Sequence, residues 1–349
     1  MVKLKQILLE GGLGGHIKHP YEIVNSGPEL IDLFKNVVDS INSNKGSVKF
    51  DGVNASVKYN GKEFVLDRGS ANILDINGVS IKDLQNRFIN KKDPNTPHPF
   101  IKIGNEVLSF FNKTKPYCEN ELSSLGILKD PSLVFNIEYI DNKDSNVIKY
   151  NANYIVFHGI KKIVVKRYKS DGTISSREAI NYDYNVQALQ NYVKKLNEVC
   201  KELNINIKVL GHVPINKNEK LNINIPLNEN LKLYPNENGE SKSLNSWLMN
   251  VKYKPDIKFT KNDFILALRS KNMTEEFGID NVQDILNYTI LIIGSIKMGN
   301  YILNNTSANE IGELRNQEGI VINDPSISSD PIKITGKFFF NALKGAYAK

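Results

Sequence analysis

Residues 47–66 read SVKFDGVNASVKYNGKEFVL, and the order of apolar and polar residues here decides how the rest of the chain is read. Ala55, Val57 and Tyr59 alternate with their neighbours and then meet Asn60-Gly61, a dipeptide suited to the positive φ angles of a tight hairpin turn. Glu63 to Leu66 supply the returning strand, so the spacing predicts a β-hairpin region over 47–68. Side chains alternate across a strand, which puts Lys49 and Asp51 on one face and Val48 and Phe50 on the other. A lysine amine and a carboxylate would then share one wall of a pocket.

Upstream, Ser26-Gly27-Pro28-Glu29 has the spacing of a capping box. Leu30, Leu33, Phe34, Val37, Val38 and Ile41 follow at helical intervals and predict a helix over 28–42. Downstream, 133–140 and 154–160 read as strands, and 161–168 with 173–177 as a second hairpin around Ser170-Asp171-Gly172. Between 183 and 304 the pattern turns mainly helical, with one long amphipathic segment from Val186 to Leu203 and further helices at 244–253, after Thr260, and at 281–304. Residues 211–233 read as strand fragments and loops. Strand patterns return at 319–322 and 332–340.

With 349 residues, 40% hydrophobic and 24% charged, the composition is that of a globular protein with a substantial core. The longest apolar stretch, 288–303, is interrupted by Gly294, Lys297, Gly299 and Asn300, so no membrane span is expected. The first ten residues are too short and too charged for a signal peptide. Cys118 and Cys200 make no disulfide framework, and a cytoplasmic location is the default expectation. The net charge of +7 favours a polyanionic partner, although many basic proteins bind no nucleic acid.

Lysine has a reference pKa of about 10.4 and must be desolvated or set among cations to act as a nucleophile near neutrality. Lys49-Phe50-Asp51-Gly52 alone also fits a surface strand ending in an ordinary Asp-Gly turn. Further elements follow it in order: Asp67-Arg68-Gly69, Phe135-Asn136-Ile137-Glu138, Tyr154-Ile155-Val156-Phe157, Glu318-Gly319-Ile320-Val321 and Ile332-Lys333-Ile334-Thr335.

Taken together these elements resemble the ordered motifs of the covalent nucleotidyltransferase superfamily, which contains ATP-dependent DNA ligases, RNA ligases and mRNA capping enzymes. Asn54, at the sixth position from Lys49, and the separations from Lys49 to Arg68 and from Glu138 to Phe157 resemble the nick-sealing RNA ligases of phages. The resemblance covers 47–160 and 315–340. It implies an α+β nucleotidyltransferase adenylation domain, with antiparallel sheets around a nucleotide cleft, over 1–180 and 305–349. Residues 181–304 would be a mostly helical insertion, a possible nucleic-acid-binding subdomain. Only Phe338 to Lys349 follow the last motif, so no C-terminal OB-fold is expected.

The resemblance also implies roles. Lys49 would attack the α-phosphate of ATP and hold AMP as a phosphoramidate. Val48, Asp51, Gly52 and Asn54 would belong to the nucleotide site, Arg68 and Glu138 would contact ribose or phosphate, and Phe157 would stack on adenine. Glu318 would help hold Mg2+ or Mn2+, and Lys333 would offset charge on the α-phosphate. The family's closing Lys-x-Lys has Thr335 at its second place here, and Lys337 is the substitute if 333, 335 and 337 share a strand face. Each residue has a plain structural reading too: an ion-paired Arg68, a sheet-edge Glu138, a core Phe157, a loop Glu318, a surface Lys333.

The implied function is sealing of 5′-phosphate and 3′-hydroxyl ends, with RNA as the first choice of substrate and DNA as the second. A DNA ligase, a capping-type guanylyltransferase, a protein-modifying adenylyltransferase and a non-catalytic nucleic-acid-binding descendant stay open as alternatives. His16 and His19, three apart after a glycine run, read as a surface turn, a loop over the site or, least favoured, a zinc site. Lys161, Lys162, Lys166 and Arg167, with Tyr168, read either as a nucleic-acid backbone contact or as a solvated strand face.

Overall fold

A computed structural model of the chain describes residues 17–67, 77–88, 96–143, 150–216, 220–222, 227–308, 312–313 and 318–336. The described residues fall into two compact units, one within Asp51–His212 and one made of Ile17–Phe50 and 213–349. In chain order the second unit begins with α1 (Pro20–Ile23), α2 (Gly27–Asn42) and β1 (Gly46–Lys49). The first unit then supplies β2 (Val53–Tyr59), β3 (Phe64–Leu66), α3 (Leu84–Arg87), α4 (Pro99–Thr114) and α5 (Glu119–Ser124). It continues with β4 (Leu133–Ile140), β5 (Asn153–Tyr168), β6 (Ile174–Asn181), α6 (Val186–Glu202) and β7 (Ile207–Leu210). The chain returns to the second unit with β8 (Asn230–Leu233), β9 (Glu240–Ser243), α7 (Leu244–Asn250), α8 (Lys261–Arg269) and α9 (Met273–Phe277). Helix α10 (Val282–Asn304) and the short strands β10 (Ser307–Ala308), β11 (Gly312–Glu313), β12 (Gly319–Ile322) and β13 (Ile332–Ile334) complete it.

This is a mixed α+β architecture with predominantly antiparallel sheets. The first unit is built on one sheet of order β3-β2-β4-β5-β6, with β7 added parallel to the start of β5. Its apolar face is covered by α4, α5 and α6 around a core that includes Phe64, Phe111, Phe135, Phe157 and Tyr192. The 154–160 and 161–168 segments, expected as separate strands, are one 16-residue strand, β5. Helix α4, for which no element is expected, is set by Phe100, Ile103, Val107, Leu108, Phe110 and Phe111 on its buried side.

In the second unit α10 is buried nearly all round and packs against α1, α2, α7, α8, α9 and β13. No helix of the described residues is long and apolar enough to cross a membrane. Helix α2 starts as expected, with Ser26 Oγ accepting from Glu29 N–H at 3.3 Å. Glu29 reaches back to Asn25 N–H at 2.7 Å rather than to Ser26, so the box is only half formed. Of the 181–304 stretch, 181–212 falls in the first unit and the described residues from 213 on in the second.

Candidate active site

The second unit holds a three-stranded antiparallel sheet of order β1-β12-β13. Its register pairs Val48 with Ile320 and Ile320 with Ile334, while Ile322 pairs with Ile332. Directly paired residues point to the same side, and these five are at most 4% exposed. That side faces the core. The other side carries Ser47, Val321 and Lys333 in one row and Lys49 with Gly319 in the next.

Lys49 Nζ lies 2.5 Å from Glu318 Oε2, with side chains 20% and 21% exposed, and donates to Phe50 O at 3.3 Å. Lys49 and Lys333, far apart in sequence, thus share one sheet face, and the Glu318 carboxylate reaches Lys49 from just before β12. Lys333 N–H donates to Lys18 O at 3.0 Å, and Lys18 bridges in parallel to Ile332. The segment after the glycine run therefore lies along the free edge of β13. His19 N–H donates to Glu22 Oε2 at 2.5 Å at the start of α1. His16 lies outside the described residues.

The first unit's sheet separates its faces in the same way. Val53, Ala55, Val57, Phe135, Ile137, Tyr139, Ile155 and Phe157 turn to the core. By strand alternation Asn54, Ser56 and Lys58 turn to the opposite side, with Glu138 directly across from Asn54 and Asn136 across from Ser56. Gly52 N–H donates to Glu138 Oε1 at 2.7 Å, and His158 Nε2 stands 2.9 Å from Oε2. A Cβ on Gly52 would sit 2.7 Å from Tyr139 O and 2.8 Å from Glu138 Cγ, so only glycine lets the chain approach β4 this closely. Asn54 Nδ2 donates to Asn136 Oδ1 at 3.0 Å. Asn54 Oδ1 is buried with no hydrogen-bond partner among the described residues.

Other expected site residues lie elsewhere. Phe157 does not share a face with Glu138: it is 1% exposed and packed on Phe111, Phe135 and Tyr192, which is its structural reading as a core residue. Val48 turns to the core side of its strand, away from the Lys49 row. Strand β1 stops at Lys49, so the alternation expected to set Asp51 beside Lys49 does not continue. Asp51 is buried, and its N–H donates to Tyr150 Oη at 2.9 Å. Thr335 is 9% exposed and follows the end of β13, and Gly336 has φ +50, so the continuous strand face proposed for 333, 335 and 337 is interrupted. Arg68 and Lys337 lie outside the described residues.

Two features escape the sequence reading. Lys58, Asp67 and Arg177 form a buried charge network, with side chains 2%, 0% and 1% exposed. Lys58 Nζ is 2.7 Å from Asp67 Oδ2, and Arg177 donates to both Asp67 oxygens at 3.0 Å. Lys58 stands in phase with Asn54 and Ser56, the one sign of it in the sequence. The second feature is His158, beside Glu138.

Among the described residues no group of three or more His, Cys, Asp or Glu is arranged to hold a metal ion. Glu318 is nevertheless compatible with Mg2+, which commonly takes one or two carboxylates and completes its shell with substrate phosphates and water. No family model, curated protein or solved structure matches this chain.

Proposed function

We propose that this chain is a covalent nucleotidyltransferase that uses ATP to join polynucleotide ends, RNA first and DNA second. The observation that carries the reading is the contact of Lys49 Nζ with the Glu318 carboxylate, on a sheet whose Lys49 face also bears Lys333. On this reading Lys49 Nζ attacks the α-phosphorus of ATP, a P–N bond forms, the bond to pyrophosphate breaks, and the amine gives up a proton. AMP then passes to a 5′-phosphate, and a 3′-hydroxyl displaces it to seal the strand.

Glu318 sets a negative charge against the Lys49 amine. Bound with the triphosphate, Mg2+ or Mn2+ would supply compensating positive charge at Glu318 and at the phosphate oxygens. Lys333, on the same face, suits the charge that grows on the α-phosphate.

The test is to incubate the full chain with magnesium and α-labelled ATP or GTP and resolve it on a denaturing gel. Label from ATP is expected on wild type and none on Lys49→Ala, a loss of more than about a thousandfold for removal of a nucleophile. Label from GTP alone would favour a capping-type reaction. No label from either overturns the covalent mechanism. Offering the labelled protein nicked RNA, nicked DNA and single strands then reads out the substrate.

A further inference from the structure

We propose that the arm formed by β5 and β6 beyond β4 is a docking surface for single-stranded nucleic acid, with Tyr168 stacking on a base and Arg167 and Lys169 meeting phosphates. The inference rests on the polynucleotide reading above for its class of partner, and the arm lies wholly within the first unit.

The strand pairing builds the arm. Strand β4 accompanies β5 only as far as Leu133 opposite Lys162, whereas β6 stays with β5 from Asn181 opposite Lys161 to Ile174 opposite Tyr168. Among the described residues the end of β5 therefore leaves the sheet with β6 alone, and every residue from 166 to 173 is exposed. Both ends of the arm are fixed. At its base Arg177 is held by the buried Asp67 carboxylate. At its tip Lys169 N–H donates to Thr173 O at 2.7 Å, Gly172 N–H donates to Lys169 O at 3.0 Å, and Gly172 takes φ +81 to close the turn. A surface ordered in advance gives up little conformational freedom when a ligand lands on it.

The ion pairs sort the cations of the arm. Lys162 Nζ is 3.5 Å from Asp130 Oδ2 and Lys166 Nζ is 2.6 Å from Glu178 Oε2, so these two already have carboxylates. Arg167 and Lys169, on either side of Tyr168, form no ion pair among the described residues. Asp171, the one acid between 166 and 173, accepts from Thr173 N–H at 2.9 Å and from Thr173 Oγ1 at 2.6 Å, which ties its carboxylate into the turn. Tyr168 is 65% exposed, an aromatic face that no core uses. An open ring flanked by two unpaired cations suits a strand whose bases are unstacked, because every base offers a π-face and every phosphate a negative charge. A duplex keeps its bases stacked inside and offers this ring none.

The experiment measures binding of the full chain, without ATP, to a fluorescein-labelled single-stranded RNA of mixed sequence by anisotropy over a series of salt concentrations. Arg167→Gln combined with Lys169→Gln is expected to weaken binding and to flatten the slope of log K against log salt by about 1.4, since each phosphate contact on a single strand contributes about 0.7. Lys201→Gln combined with Lys271→Gln removes the same charge from α6 and from the link between α8 and α9, and is expected to leave the slope alone. Tyr168→Ala is expected to weaken binding about tenfold at an unchanged slope, and Tyr168→Phe, which keeps the ring, to restore it. All five side chains are exposed, so circular dichroism melts of the variants are expected to match wild type. The inference is overturned if wild type binds anionic lipid vesicles but not the RNA, or binds neither. It is equally overturned if the control pair flattens the slope as much as the arm pair, or if Tyr168→Ala binds as wild type does. Labelling of Lys49 by ATP needs no polynucleotide and is read separately. Label without arm-dependent binding sinks this inference alone, and arm-dependent binding without label sinks the covalent mechanism alone.

Discussion

Phe157 meets Phe135 edge-on at 5.1 Å and 87°, Tyr192 at 5.7 Å and 75°, and Phe111 at 6.0 Å and 71°. A ring in such a cluster contributes burial and quadrupole contacts to stability. Phe157→Leu is therefore expected to cost about 1–2 kcal/mol in urea unfolding while leaving KM for ATP within about twofold. A tenfold rise in KM without loss of stability would return Phe157 to the nucleotide. The residue scale also shows how far the site was legible in the sequence. Lys49, Glu318 and Lys333 could be named from residue type and order; Lys49 and Lys333 share a sheet face, and Glu318 pairs with Lys49. His158, beside Glu138, could not, because an alternating pattern keeps its phase only until a bulge inserts a residue, as one does between the Asn136 and Ile137 pairings.

Strands show the same mixture. The hairpin of β2 and β3 was legible because Asn60-Gly61 is a local signal, and α2 and α8 because Ser26 and Thr260 cap them within a few residues. The break between β1 and β2 was not, since alternation continues through Phe50 while the two strands join different sheets. At this scale the buried charges have a clear role. Asp67, just after β3 at one edge of the first unit's sheet, grips Arg177 on β6 at the other edge, with Lys58 on β2 as the third member. The sheet therefore curls over its polar face until its edges meet through a carboxylate. Asp67→Leu leaves two cations buried without it and is expected to cost about 3–5 kcal/mol. The triple change Lys58→Met, Asp67→Leu, Arg177→Met is expected to recover much of that loss, and urea titrations of the two proteins compare them. A triple variant weaker than the single one would show that the charges stabilise beyond their mutual neutralisation.

Along the described residues, the chain passes between the units at Phe50–Asp51 and again at His212–Val213. All described elements of the first unit come from one uninterrupted stretch, whereas the second unit draws β1 and α2 from before it. A fragment of residues 51–212 is expected to fold alone with a cooperative melt. Residues 213–349 alone are expected not to, since β12 and α10 would lack β1 and α2, and adding 17–50 should restore the melt. A folded 213–349 fragment would contradict this. The same threading orders events during synthesis. Glu318 lies 269 residues after Lys49, on the order of 10–50 s later at ordinary elongation rates. Until then the amine has no Glu318 to hold it, so the ion pair forms only in chains made through residue 318.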